Sequence, residues 1–292
     1  MERVRAMVKL GRPLVLVAAL FAYAVGLSLA YYDLGFIKWD LALLGLAILL
    51  IATLMGHYAN EYADVDTDSI TRRTMFSGGS GVLPARIVPR AWALYAAVGC
   101  MIVSLLLTAT SIAYGVLASV VGLIVVIGVV GGWFYSMPPL RLERTWFGEI
   151  DNSLIGGFPM PLIAYACQTG YLTLESIIIM VPVFLAVLAN LRGVHWPDRR
   201  ADEAGGKRSL VVTLGDKVIT AHWIIIIMTY VSVLAISPML PQEVVLASML
   251  TIPVGILAGL SLGKIKSPIF SSGMMAVLMI AMSVGWVLAR GF

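Results

Sequence analysis

Charged residues are scarce in this 292-residue sequence, in which Asp, Glu, Lys and Arg together make up 12%. Soluble domains carry about 25%. Hydrophobic residues account for 60% of the chain and the mean hydropathy is +0.95. This composition excludes a water-soluble globule with an ordinary polar surface. It predicts an all-α polytopic membrane protein, since a helix satisfies its own backbone hydrogen bonds inside a bilayer.

Cysteine is almost absent as well, because the chain has only Cys100 and Cys167, and both lie within apolar runs. A disulfide framework and a cysteine-rich zinc site are therefore excluded. The three histidines, His57, His195 and His222, have no His or Cys partner at ligand spacing. We therefore expect no soft-metal centre.

Nine apolar runs are long enough to cross a bilayer: 13–32, 41–59, 89–110, 113–134, 147–167, 174–196, 218–238, 242–262 and 270–289. The first has no small-residue cleavage site after it, so we expect it to remain in the protein. The runs predict a single domain, 1–292. In it two four-helix repeats, about 13–134 and 147–262, and a ninth helix at about 270–289 surround a central cavity.

Basic residues are distributed unevenly between the two sides of such a bundle. With the N-terminus in the cytoplasm, eighteen of the twenty Lys and Arg residues fall in cytoplasmic segments, and only Lys38 and Arg290 do not. This asymmetry predicts a multi-pass protein of the cell membrane with a cytoplasmic N-terminus. It also explains the pI of 9.1 without a nucleic-acid partner. No obligate protein partner is indicated.

Two acidic motifs share one spacing. Asn60, Asp64 and Asp68 follow the second run, and Asp198 and Asp202 follow the sixth. Four residues advance a helix by about 400°, so each motif places its side chains on one face. The topology puts both motifs on the cytoplasmic side. Carboxylate oxygens suit hard cations, and two facing clusters would hold two Mg²⁺ ions with a diphosphate between them.

A diphosphate held in this way becomes a good leaving group. If its organic part is allylic, cleavage of the C–O bond gives a stabilised cation, which must be kept from water. A cavity between apolar helices would exclude water and accommodate an isoprenoid tail. The oxygen of Tyr135, at the start of a rigid proline-containing turn, is a candidate to stabilise the cation.

These residues resemble the UbiA superfamily of intramembrane prenyltransferases. The likeness rests on Asn60-x-x-x-Asp64-x-x-x-Asp68, Asp198-x-x-x-Asp202 and the turn Tyr135-x-x-Pro138-Pro139-x-Arg141. Segments near Gly148-Glu149, Asn190-Leu191-Arg192 and Gly206-Lys207-Arg208 are most similar to the branch that prenylates 1,4-dihydroxy-2-naphthoate in menaquinone synthesis. That branch usually has Asp where this chain has Gly193.

The resemblance implies a site for each substrate. Asn60, Asp64, Asp68, Asp198 and Asp202 would bind Mg²⁺ and the diphosphate of geranylgeranyl diphosphate or a similar donor. By charge and position, the candidates for direct phosphate contact are Arg72, Arg73, Arg141 and Lys207. Polar residues near the cavity would bind or deprotonate the aromatic acceptor: Glu149, Asp151, Asn152, Asn190 and His195. The alternative role for His195 is to orient Asp198.

Other functions remain open at this point. A cation-coupled secondary transporter also uses repeats and membrane carboxylates, but its coupling residues are expected near the bilayer midplane. A CDP-alcohol phosphotransferase would need a longer acidic signature, which is not found here. The acceptor could instead be 4-hydroxybenzoate, a glycerol-phosphate lipid, haem or a chlorophyll precursor.

Overall fold

The computed structural model of the protein describes residues 1–70, 79–262 and 267–291, which fold mainly into α-helices. In chain order the helices are α1 (Glu2–Leu10), α2 (Pro13–Leu34), α3 (Trp39–Asp68), α4 (Arg90–Ala113), α5 (Ser119–Ser136), α6 (Phe147–Gly157), α7 (Pro159–Thr169), α8 (Leu174–Ile178), α9 (Val181–His195), α10 (Arg199–Ala204), α11 (Leu210–Leu214), α12 (Lys217–Ala235), α13 (Gln242–Met249), α14 (Ile252–Leu260) and α15 (Ile269–Arg290). Two 3₁₀-helices span Leu142–Arg144 and Ser237–Met239. The expected all-α fold is confirmed.

Eight helical stretches in the described part of the chain are long and apolar enough to cross a membrane. Six are the single helices α2, α3, α4, α5, α12 and α15, and the other two are α8 with α9 and α13 with α14. The protein is therefore an integral membrane protein. Helix α3 continues without a break through Asp68, so the first acidic motif is the end of a membrane span, as predicted.

The predicted fifth span, 147–167, is not one helix. It consists of α6 and α7, each of eleven residues, which meet at Phe158. Pro159 and Pro161 begin α7, and proline removes a backbone donor and clashes with the preceding helical turn. Each half alone is too short to cross a bilayer. The count of nine single spans is not confirmed, and the division into two four-helix repeats within one domain remains a prediction.

Small residues allow the central helices to pack closely. Helix α2 packs against α7 and α15, and α9 packs against α6, α12 and α15. A Cβ at Gly26 of α2 would overlap the carbonyl of Pro161, and one at Gly157 of α6 would overlap the backbone of Phe184. Close backbone packing of this kind holds helices together in lipid, where the hydrophobic effect between them is weak.

The end of the bundle at which α3 finishes is covered by two further segments. Buried side chains of α1 and of the segment 79–89, including Leu10, Val82, Leu83 and Val88, form a separate apolar cluster there. Tyr58, Tyr62 and Val65 of α3 pack against this cluster. Helix α1 and the segment are thus fixed beside the first acidic motif.

Candidate active site

The two acidic motifs meet around a single ammonium group. Nζ of Lys207 lies 2.7 Å from Oδ1 of Asp64 and 3.8 Å from Oδ1 of Asp202. Asp64 is on the last turns of α3, whereas Asp202 is in α10, and the Lys207 side chain is only 9% exposed. Asp68 and Asp198 line the same cavity. The structure therefore places residues of both motifs in one site.

The turn that carries Lys207 is held by backbone contacts. Its N–H donates to the carbonyl of Asp202 at 2.8 Å, which closes the turn after α10. Gly206 there has a φ of 73°, in the left-handed region that glycine adopts without strain. Arg144 donates from Nη2 to the carbonyl of Gly205 at 2.7 Å. These contacts fix the direction in which Lys207 leaves the backbone.

Asn60 is held by three acceptors around its amide nitrogen. Nδ2 donates to Oε2 of Glu143 at 2.7 Å, to Oδ2 of Asp64 at 3.0 Å and to Oγ of Ser136 at 3.2 Å. Glu143 belongs to the 3₁₀-helix after α5 and is 8% exposed. A third segment of the chain thus contributes a carboxylate that neither acidic motif contains.

Glu61, the residue after Asn60, ties three segments together beside the site. Its buried carboxylate accepts from Nε of Arg12 at 2.6 Å and from the backbone N–H and the hydroxyl of Ser80 at 2.7 and 2.6 Å. Gly79 is packed so closely on Asp68 that a Cβ there would overlap the carboxylate. Arg12 and Gly79 both line the cavity, so Glu61 fixes the start of α2 and the segment 79–89 at its mouth.

A cavity of about 310 Å³ extends from the acidic residues into the bundle. Predicted site residues in its wall are Tyr135, Asn152, Asn190 and His195. Its remaining wall is largely apolar, with side chains that include Ala18, Ala22, Leu49, Val125, Met160, Ile163, Met275 and Met279. One end of the cavity is therefore acidic, and the other suits a hydrocarbon chain.

Three predicted site residues do not line this cavity. Glu149 is buried, but its carboxylate accepts from the backbone N–H groups of Leu210 and Val211 at 3.0 and 3.4 Å, and so caps the start of α11. Asp151 lies near Gly131 of α5. Arg141 is exposed. From α6, Glu149 and Asp151 point to the neighbouring helices, and Oε1 of Glu149 also lies 3.4 Å from Nδ1 of His195, which lines the cavity. Their part in binding the acceptor stays a prediction. Arg72 and Arg73 lie outside the described residues.

Burial and the density of negative charge shift the ionisation of the residues around Lys207. Burial alone would lower the pKa of Lys207, but the carboxylates of Asp64, Glu143 and Asp202 outweigh it and raise that pKa. Burial raises the pKa of Asp202, and burial together with the charge of Asp64 raises the pKa of Glu143 to about 8. Additional positive charge would therefore be bound favourably.

The donors suit a hard divalent cation. Among the residues that the structure describes, no three His, Cys, Asp or Glu side chains are grouped as a self-sufficient metal site. Instead the Lys207 ammonium draws Asp64 and Asp202 towards one positive charge. Mg²⁺ typically takes only a few protein carboxylates and completes its shell with water and substrate phosphate. The acidic residues and Asn60 therefore fit Mg²⁺ that arrives with a diphosphate.

Four residues of this site were not predicted as part of it: Arg12, Glu61, Ser136 and Glu143. Glu61 stands inside the first motif, and Glu143 follows the proline turn by a few residues. An acidic residue in an otherwise apolar chain was the available signal in both cases. Their burial and their partners depend on contacts between distant segments.

Comparison with known proteins identifies the class. The model of the UbiA prenyltransferase family matches residues 18–269. The chain therefore belongs to this family, as the motifs suggested, and the expectation of a prenyl-transferring enzyme is confirmed at the level of the family.

The chain is similar in sequence to two characterised relatives and in structure to a solved UbiA homologue. The chain is 28% identical to 1,4-dihydroxy-2-naphthoate octaprenyltransferase of Bacillus subtilis. The match covers 72% of this chain and 66% of the relative, so the chain spans slightly less than two thirds of that protein. It is 27% identical to the bacteriochlorophyll synthase 33 kDa chain of Cereibacter sphaeroides. That match covers 73% of this chain and 68% of the relative. A UbiA homologue from Archaeoglobus fulgidus, solved with DMAPP and Mg²⁺, superposes with a TM-score of 0.71 at 17% identity, over 95% of this chain and 99% of that one. This last likeness shows a shared fold.

The Glu61 contacts predict a large effect of removing that carboxylate. Glu61→Ala should lower the free energy of unfolding by about 3 kcal/mol, because it leaves the Arg12 guanidinium and the Ser80 N–H without their acceptor. It should also speed tryptic cleavage after Arg86, an exposed residue of the segment that Ser80 ties to Glu61. The measurements are thermal unfolding in detergent and a timed digest.

Asp66→Ala is the matched control for this change. Asp66 lies on the same helix, but its side chain is 87% exposed and 3.7 Å from Arg90, so its removal should change stability little. Equal stability and equal cleavage of the two variants would contradict the role assigned to Glu61.

Proposed function

We propose that the protein catalyses Mg²⁺-dependent transfer of a prenyl group from an isoprenyl diphosphate to an aromatic quinone precursor, with release of diphosphate. The observation that carries this proposal is the cluster of Asp64, Asp202 and Lys207 at the mouth of an apolar cavity. The same cavity can therefore bind a charged group at its mouth and a hydrocarbon chain in its interior. An isoprenyl diphosphate has both chemistries in one molecule.

The acidic end is proposed to bind the diphosphate. Asn60, Asp64, Asp68, Asp198 and Asp202 would hold two Mg²⁺ ions, which would neutralise the charge that develops on the leaving group. Lys207 would then exchange Asp64 for a phosphate oxygen. Arg12 lines the same mouth and would add a second cation there. Arg72 and Arg73 are proposed as further phosphate contacts because they follow the first motif directly.

The reaction would proceed by cleavage of the bond between the first prenyl carbon and the diphosphate oxygen, which keeps both electrons. The resulting allylic cation would be attacked by a ring carbon of the acceptor, and that carbon would then lose its proton. The apolar cavity wall excludes water during this step. Tyr135 is proposed to stabilise the cation with its ring and oxygen, since it lines the cavity.

The acceptor is proposed to bind beside Asn152, Asn190 and His195, whose side chains share the cavity with Tyr135. A naphthoate acceptor is favoured by the B. subtilis relative, which points to menaquinone-type quinone synthesis. The hydrocarbon tail, geranylgeranyl or similar, would extend along the methionines and alanines of α2, α7 and α15. The site would open to the cytoplasmic side of the cell membrane, on which the basic residues are concentrated.

Transport is a weaker proposal. The carboxylates that meet around Lys207 belong to the end of α3 and to the short helix α10. A coupling site for transport is expected near the middle of the membrane instead.

A direct assay tests the proposal. Purified protein in lipid nanodiscs should convert geranylgeranyl diphosphate and 1,4-dihydroxy-2-naphthoate to a prenylated naphthoate, identified by mass spectrometry, and release diphosphate. Activity should disappear with EDTA and return with Mg²⁺. Prenylation that persists in excess EDTA would overturn the metal dependence. No product with any acceptor, together with cation flux in proteoliposomes, would favour transport.

Substitution of the acidic residues gives a second test. Asp64→Ala and Asp202→Ala should each lower turnover by at least about 100-fold, because each removes a carboxylate proposed to hold Mg²⁺. Both variants should elute from gel filtration as the unchanged protein does. Asp66→Ala, two residues from Asp64 and exposed, should keep near-normal turnover. Similar activity in all three variants would contradict the proposed metal site.

A further inference from the structure

Glu143 is a buried carboxylate that belongs to neither acidic motif. It lies in the cavity wall on the 3₁₀-helix Leu142–Arg144, between α5 and α6, and is 8% exposed. An ionisable group at such a position is costly unless its contacts compensate. Its Oε2 accepts hydrogen bonds from the amide nitrogen of Asn60 at 2.7 Å and from the hydroxyl of Ser136 at 3.1 Å.

The amide nitrogen of Asn60 is surrounded by acceptors. Glu143 provides the shortest contact, and Asp64 Oδ2 and Ser136 Oγ follow at 3.0 and 3.2 Å. An amide NH₂ carries two hydrogens and an amide oxygen carries none. If the amide were rotated by 180°, its oxygen would face Oδ2 of Asp64 and Oε2 of Glu143, and Oε2 already accepts from the hydroxyl of Ser136. The surroundings therefore distinguish the two ends of the Asn60 side chain.

Orientation matters because only the oxygen of an asparagine amide is a ligand for a hard cation. Asp64 alone would not keep the Asn60 amide in this orientation, because its carboxylate would turn to a bound metal. Glu143 lies on another segment of the chain and stays beside the nitrogen. Partners of this kind, which hold a ligand from behind, change metal affinity by about 10–100-fold when they are removed.

We propose that Glu143 is a positioning residue that holds the amide nitrogen of Asn60 and thereby presents the amide oxygen to Mg²⁺. This inference rests on the proposed function and adds the residue that prepares one of its ligands. Ser136 supports the pair by its contacts with both residues. The wall of the cavity between α5 and α6 thus takes part in metal binding without contacting the metal.

A double-mutant cycle tests the inference. The variants are Glu143→Leu, Asn60→Ala and the combination of the two, and the readout is Mn²⁺ affinity with inorganic diphosphate, measured by electron paramagnetic resonance without turnover. Glu143→Leu should weaken Mn²⁺ binding about tenfold. In the Asn60→Ala background the same change should have almost no further effect. Glu143→Gln, which keeps an acceptor oxygen, should lose less than Glu143→Leu.

Two controls separate positioning from other roles. Glu203→Leu removes an exposed carboxylate from α10 and should leave Mn²⁺ affinity unchanged. If Glu143→Leu does not fold, Glu143→Gln in the two backgrounds gives the same comparison with smaller changes. The thermal unfolding midpoint of each variant identifies those that fold.

The possible results separate the positioning role of Glu143 from the proposed function on which it rests. An equal loss from Glu143→Leu with and without Asn60 would overturn positioning, because Glu143 would then act on the metal independently. Unchanged affinity in Glu143→Leu would overturn it too. If Asn60→Ala itself binds Mn²⁺ as tightly as the unchanged protein, Asn60 is not a metal ligand. Both the proposed ligand set and the positioning role of Glu143 would then be overturned.

Discussion

The contact between the Lys207 ammonium and the carboxylates of Asp64 and Asp202 is the interaction on which the site depends. It joins residues 143 positions apart, from α3 and from the turn after α10. Charges at such low exposure are unfavourable unless they are paired. Many other polar contacts of the region position this one: Arg144 holds the turn, Glu143 and Ser136 hold Asn60, and Glu61 holds the segment beside Asp68.

The surrounding helices form the cavity that adjoins these charged residues. The break between α6 and α7 places short helices in the wall of the cavity, with Asn152 on one and Met160 and Ile163 on the other. Close packing of α2 on α7 at Gly26 brings the alanines of α2 to the same cavity. A polar mouth and an apolar interior follow from where charged residues occur along the sequence. Charges are concentrated at helix ends, and the apolar runs supply the rest.

Much of this arrangement could be predicted from the sequence. The apolar runs predicted the helices, because only a self-satisfied backbone is stable in lipid, and the two acidic spacings predicted which helix ends carry the charged residues. The contacts among distant segments could not be predicted. Glu143 and Glu149 are both acidic residues near the start of the predicted fifth span, yet one lines the cavity and the other caps α11. Their directions depend on the turn before α6 and on its packing, which no periodicity reveals.

The most direct measurement is the crystal structure of the protein with Mn²⁺ and geranylgeranyl thiodiphosphate, with anomalous scattering used to locate the metal. The proposed metal site predicts anomalous peaks between Asp64 and Asp202, with Lys207 Nζ moved from Asp64 to a diphosphate oxygen. A metal bound elsewhere, or Lys207 still hydrogen-bonded to Asp64 with the diphosphate outside the acidic residues, would contradict it.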